Sequence, residues 1–164
     1  MLKNFNNTVF DLLHEDFQRS RNVTAKYVYY KPIGVIHSPY KTSEECPRQP
    51  SLSDSVIGIV EIFPEFEEGL KGIEDYSHIV LVSHFHLVNH FDLKIKSEER
   101  GSSERGIFTS RSAIRPNSIG ISIVRLIKRE KNKLHIHDVD LVNGTPLLDI
   151  KPSQRRFGYE FCSS

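Results

Sequence analysis

Residues 119–128 read IGISIVRLIK and residues 133–142 read KLHIHDVDLV. The first alternates apolar with small side chains, and the second alternates apolar with polar ones. A period of two is the signature of a half-buried β-strand, because successive side chains leave opposite faces of the chain. Working outward, Tyr27 to His37 (YVYYKPIGVIH) is aromatic and β-branched, and Ser38-Pro39-Tyr40 ends it. Val56 to Phe63 (VIGIVEIF), His78 to His86 (HIVLVSHFH) and Leu147 to Ile150 have the same character, while Phe66 to Ile73 reads as a turn or a single helical turn. Phe10, Leu13 and Phe17 fall at helical spacing behind a candidate cap at Asn7 or Thr8, which predicts a short N-terminal helix. Short strands separated by turn signals, with no long helical pattern, predict a mainly β fold. The expected form is a small closed or nearly closed β barrel with short helical additions, including that N-terminal helix.

The expected organisation is an N-terminal extension over 1–26, a barrel domain over 27–153 and a tail over 154–164 of the 164 residues. A chain of this length buries enough surface to fold without disulfides or metal. Cys46 and Cys162 form no CxxC pair and read as reduced thiols of a cytosolic protein. MLKNFNNTVF lacks the apolar stretch of a signal peptide, and no run approaches the ~20 apolar residues of a membrane helix. Net charge is only +1, but it is unevenly placed. Lys94 to Lys133 holds eleven Lys/Arg against four Glu, whereas Lys41 to His78 holds nine acids against three bases. This asymmetry fits a phosphate-facing patch, and equally two charged stretches that intermix on folding.

Residues 89–118 form a long charged stretch rich in Ser, Gly and Arg, expected to be a functional loop. Within it, Arg111 and Arg115 stand four apart on a turn stiffened by Pro116, with Asn117 and Gly120 following. Two planar guanidinium forks on a rigid turn suit carboxylates or phosphates, although an ordinary solvated loop has the same composition. Asp140 to Asp149 places carboxylates on both sides of an Asn143-Gly144 turn, with Lys151 following. Such acids suit ribose hydroxyls and an amino group, or simply face solvent beside a tight hairpin. His84, His86 and His90, with His135 and His137, raise a rival zinc reading, a metal-dependent hydrolase, without HExxH or CxxC to support it. Neither GxGxxG after a strand, a Walker loop nor GxSxG occurs.

Several of these pieces, in order, resemble the TsaA-like family, whose characterised members methylate N6 of adenosine 37 in tRNA. They are Ile33 to Tyr40, Cys46-Pro47-Arg48-Gln49, Gly58 to Phe63 with Glu68-Gly69-Leu70, Asp75 to Ile79, Phe85-His86, and Arg105 to Ser112 running into Arg115-Pro116-Asn117 and Ile119-Gly120. Asp140-Leu141-Val142, Gly144-Thr145-Pro146 and Asp149 to Pro152 close the match. The chain departs from the family pattern at Ala113, Ser118, Asn143 and Ser153, which bears on substrate choice.

The resemblance implies a β barrel that binds S-adenosylmethionine, pairs as a homodimer and acts on the tRNA anticodon loop in the cytoplasm. It implies cofactor contacts from Pro47, Arg48, Gln49, His86, Leu87, Arg111, Ile121, Asp140, Leu141, Val142 and Asn143, with no metal. The implied acceptor is N6 of threonylcarbamoyladenosine at position 37. On that chemistry, Asp149 is the candidate to take the acceptor proton, and Arg115 and Asn117 are candidates to orient the base. A non-catalytic module that binds S-adenosylmethionine or RNA is the alternative.

Overall fold

The computed structural model describes residues 28–47, 56–96 and 103–153. By internal contacts the chain divides into Met1–Lys31 and Pro32–Ser164. The expected helix in 1–26 and the tail 154–164 lie outside the described residues, as do Arg48 and Gln49.

The larger unit is a closed barrel of six antiparallel strands, with β4 and β5 set apart as a two-stranded sheet. In chain order the strands are β1 (Gly34–His37), β2 (Ile57–Ile62), β3 (His78–His84), β4 (Lys94–Lys96), β5 (Glu104–Gly106), β6 (Ile119–Glu130), β7 (Lys133–His137) and β8 (Thr145–Pro152). Around the barrel the order is β1-β2-β7-β6-β3-β8, and β8 pairs back onto β1. Helical additions among the described residues are short 3-10 segments, Pro64–Leu70, Ile73–Asp75 and Ile107–Thr109.

Alternation fills the interior. Ile36, Val60, Ile62, Ile79, Leu81, Val124, Leu134, Ile136 and Leu147 are all buried. Each contributes roughly 1.5–3 kcal/mol by leaving water. A barrel of this size is packed by side chains rather than hollow. Three inward positions are polar instead, Ser83, Ser122 and Thr145. They lie towards one rim, where β3 ends and where β6 and β8 begin.

That rim matters because of antiparallel topology. The register pairs His37 with Ile59, Ile57 with His137, and His84 with Ile119. The three long connections, residues 38–56, 85–118 and 138–144, therefore all emerge at the same end of the barrel. The opposite end carries residues 63–77 and the tight β6–β7 turn at Lys131-Asn132.

The structure shifts several expected boundaries. The first strand begins at Gly34, not Tyr27. The strand expected over 133–142 stops at His137, because Asp138 adopts a left-handed backbone (φ 68°) that cannot continue a ladder. Beyond it Val139 and Leu141 are buried against the core. Asn143-Gly144 does not close a hairpin between neighbours, since β7 and β8 are not paired; Gly144 turns the crossing chain at φ 82°. The expected loop 89–118 contains the β4–β5 pair and the 3-10 turn.

The charge asymmetry of the sequence partly cancels on folding. Arg129 lies 3.4 Å from Glu74, Lys133 lies 3.8 Å from Glu61, and Lys128 pairs with Glu130. These bases sit near the rim opposite the long connections; Lys128 and Arg129 are seven and eight strand residues, or roughly 25 Å, from Ile121. Of the same basic run, Lys94, Lys96, Arg105, Arg111 and Arg115 lie on the long-connection side, where Lys94 pairs with Glu104.

No helix of the described residues is long and apolar enough to cross a membrane.

Candidate functional site

The three long connections wall a cleft of about 860 Å³ at their shared rim. The N-terminal half of β6 forms its floor. β6 is twelve residues long, and an irregularity between Leu126 and Lys128 splits it. Residues 119–125 pair with β3, while residues 125–130 pair with β7. The first half of β6 thus lacks a strand on its β7 side, and the irregular segment after Asp138 runs there. Ser122 Oγ donates to Asp140 Oδ1 at 2.6 Å, fastening that segment to the floor.

Asp140 is the one carboxylate among the described residues that line the cleft. Burial raises its pKa above the usual carboxylate range, opposed by the Ser122 hydrogen bond and by a backbone N–H. Its neighbours Leu141 and Val142 also line the cleft. Asn143 does not; its Oδ1 accepts from the Ser38 backbone N–H at 3.2 Å and so ties the 138–144 connection to the end of β1. Ser38 Oγ donates to the Leu141 carbonyl at 2.6 Å in the same tie.

From the first connection come Ser43, Cys46 and Pro47. Burial, reinforced by Asp140, Glu45 and Glu44, pushes the Cys46 thiol up to about 11, so it is protonated at neutral pH. From the second come Phe85, His86 and Leu87 at the end of β3, then Phe108, Arg111, Arg115, Pro116 and Asn117. Arg115 Nη1 donates to the Ser110 carbonyl at 3.3 Å, and its guanidinium lies 6.0 Å from the centre of the Phe108 ring. Arg111, exposed, has no polar or charged partner among the described residues. It is the cation left available to an incoming anion.

Gly120 lets the floor and the Phe85 wall meet. A Cβ there would come within 2.5 Å of Phe85 Cζ and 2.8 Å of Ser83 Oγ. Ser83 Oγ is itself buried without a hydrogen-bond partner.

The cleft therefore gathers Pro47, His86, Leu87, Arg111, Arg115, Asn117, Ile121 and Asp140 to Val142, drawn from segments nearly a hundred residues apart in sequence. Asp149 is not among its lining residues. A register shift between β3 and β8 is the reason: Ser83 opposes Leu147, but Val82 opposes Asp149. Leu148 is the extra residue, so Asp149 faces outward, where Lys151 Nζ lies 2.7 Å from its Oδ2. The structure thus places Asp149, the residue expected to take the acceptor proton, outside the lining of the cleft. Among the described residues no three His, Cys, Asp or Glu side chains gather as a metal centre needs, so the histidine pairs on β3 and β7 do not form the rival zinc site. Sequence reasoning passed over Phe108, Ser122 and Thr145 as site residues; Ser122 was signalled as a small residue in the inward row of β6.

The donor set suits a ligand with both charges and an aromatic base. One unpartnered guanidinium, one half-buried carboxylate with a hydroxyl on it, and apolar walls at Phe85, Ile119 and Ile121 complement a carboxylate, an ammonium or sulfonium and a nucleobase respectively.

Comparisons with known proteins agree with this chemistry. A family model described as tRNA-methyltransferase O N-terminal domain matches residues 35–157. A probable S-adenosyl-L-methionine-binding protein of Pyrococcus abyssi is 50% identical over 125 residues, which cover 76% of this chain and 67% of that protein. A tRNA (adenine(37)-N6)-methyltransferase of Homo sapiens is 34% identical over 128 residues, 74% of this chain but 29% of its own length. Among solved structures, TrmO from Pseudomonas aeruginosa superposes with a TM-score of 0.68 at 34% identity, covering 84% of this chain and 60% of that one. The chain thus spans less than two thirds of the solved TrmO chain and under a third of the human enzyme.

Proposed function

The chain belongs to the family of the tRNA-methyltransferase O N-terminal domain, and from that premise we propose that it transfers a methyl group from S-adenosylmethionine to N6 of threonylcarbamoyladenosine at position 37 of tRNA. The observation that carries this reading is the convergence of residues 43–47, 85–88, 108–122 and 140–145 on one cleft large enough for a nucleotide-sized ligand.

S-adenosylmethionine, when bound, supplies an electrophilic methyl group on a cationic sulfur. The protein's task is then positional, because in-line displacement needs donor and acceptor held collinear at roughly 3 Å. Asp140, anchored by Ser122, holds the cationic part of the cofactor, and Arg111 grips its carboxylate. Pro47, His86, Leu87, Ile121, Leu141 and Val142 enclose the remainder, and the family resemblance adds Arg48 and Gln49, which follow Pro47 in sequence. Asn143 acts at one remove, by tying its connection to Ser38. Arg115 and Asn117 orient the acceptor base at the open side. Lys96 and Arg105 attract the RNA backbone, a salt-dependent contribution, while Lys94 pairs with Glu104. The reading includes a homodimer in the cytoplasm, with exposed Phe91 and Leu93 suited to a contact between copies.

The test is a pair of measurements. Calorimetric titration with S-adenosylmethionine should give one site per chain, and labelled methyl should enter threonylcarbamoylated tRNA but not unmodified tRNA. Saturable cofactor binding without label in either RNA would mark a binding module instead, and light scattering would reveal a monomer if the dimer is wrong.

A further inference from the structure

We propose that Phe108 is a stacking platform for an unpaired base of the RNA, a role that rests on the methyltransferase reading and adds a substrate-contacting residue to it. At 74%, Phe108 is the most exposed large apolar side chain among the described residues, yet it lines the cleft. A phenylalanine so exposed stabilises nothing by burial, and here its backbone is held firmly. It sits in the middle of the 3-10 turn Ile107–Thr109, whose first residue is 1% exposed and anchors the turn by its burial. Thr109 Oγ1 donates to the Gly106 carbonyl at 2.8 Å, and Ser110 Oγ donates to the Ile107 carbonyl at 2.9 Å. The Ile107 N–H donates to the Leu93 carbonyl at 2.9 Å, which joins the turn to the β4–β5 sheet.

Arg115 completes the platform. Its guanidinium is fixed by the Ser110 carbonyl and approaches the ring to 6.0 Å, within cation–π range. An aromatic ring with an arginine beside it, presented rigidly to solvent, is the arrangement on which unstacked bases of single-stranded RNA settle. The surroundings favour RNA over the cofactor as the ring's partner. Phe108 lies two residues beyond the end of β5, in the turn that follows it, whereas Asp140 and Ser122 lie on the floor of the cleft. Arg115 and Asn117, which line the cleft and are assigned to the acceptor base, come from the same connection as the ring.

Phe108→Ala, Phe108→Tyr and Phe108→Trp test this with an anticodon stem-loop RNA and with full tRNA. The alanine variant should raise the KM and the Kd for RNA by about 5- to 150-fold, the span of a lost base–aromatic stack. Its kcat and its calorimetric affinity for S-adenosylmethionine should stay near wild type, and tyrosine and tryptophan should restore RNA affinity. Thermal melting of each variant separates this from misfolding. An alanine variant that folds, keeps its RNA affinity or loses cofactor affinity instead overturns the proposal, as does a folded tryptophan variant as weak as alanine. Wild-type protein that methylates RNA while Phe108→Ala is unaffected removes this inference alone. Wild-type protein that binds cofactor but no RNA removes the methyltransferase reading with it.

Discussion

Replacing Gly120 by alanine probes the contact on which the cleft wall depends. Its backbone is not in the left-handed region, so the whole cost is steric. The added methyl would stand 2.5 Å from Phe85 Cζ, 2.8 Å from Phe85 Cε1 and 2.8 Å from Ser83 Oγ. Carbon atoms pack best at about 3.5–4.0 Å, so the ring must retreat by roughly 1 Å. Ser83 is fully buried and cannot give way. The Phe85 backbone is held by its N–H bond to the Ser118 carbonyl at 2.8 Å, so the ring moves by rotating into the cleft. Overpacking of this kind costs about 1–3 kcal/mol. With a urea slope of about 1–3 kcal/mol per molar, the unfolding midpoint should fall by on the order of 1 M. Calorimetry should show weaker binding of S-adenosylmethionine in the same variant. Phe85→Leu introduced beside Gly120→Ala should recover part of both losses, because a shorter side chain leaves room for the methyl. A Gly120→Ala protein with an unchanged midpoint and unchanged affinity, or a double variant whose losses simply add, would refute the argument.

Asp140→Asn should stabilise the ligand-free protein at neutral pH while weakening cofactor binding, since it keeps an acceptor for Ser122 but loses the charge. Burial raises the Asp140 pKa, so between the ordinary carboxylate range and that raised value the folded protein retains a proton the unfolded chain has lost. Stability of the unsubstituted protein therefore falls as pH rises through that window, and the advantage of asparagine should vanish in acid; a pH-independent difference in urea midpoints would contradict this. Cys46, with its thiol near 11, should alkylate with iodoacetamide at pH 8 on the order of a hundred times more slowly than a free cysteine, and more slowly still with cofactor present. Mass spectrometry of the Cys46 peptide reads the rate, and fast labelling would show the site to be open and polar. Arg115→Ala should raise the KM for tRNA strongly, whereas Asp149→Asn, altering an outward side chain paired with Lys151, should leave kcat and KM unchanged in the methyl-transfer assay.

Much of this protein was written locally. The strict two-residue period of β3, β6 and β7 specifies strands whose inward rows fill a barrel, because a pleated chain sends alternate side chains to opposite faces. The order of short motifs along the chain was enough to indicate the family, and Arg111, Arg115, Asn117 and Asp140 were recognisable as chemically capable residues at turns. What the residues could not announce is where antiparallel pairing would carry them. The three connections meet only because β1, β3 and β7 all end at one rim, a consequence of pairing order over long sequence separations. The extra residue at Leu148 reverses the face of Asp149, and a shift of one residue leaves no mark on local composition. The left-handed turn at Asp138 likewise ends a strand that periodicity would have continued, freeing Asp140 to turn onto Ser122. The basic run of 94–133 looked continuous, yet a long strand carried half of it to the opposite end, beside the acids that neutralise it. Local sequence therefore decided which residues form strands and which bear charge, through sterics and solvation acting over a few bonds. Tertiary pairing decided which of those residues share a cleft, since that depends on register between segments the chain itself keeps far apart.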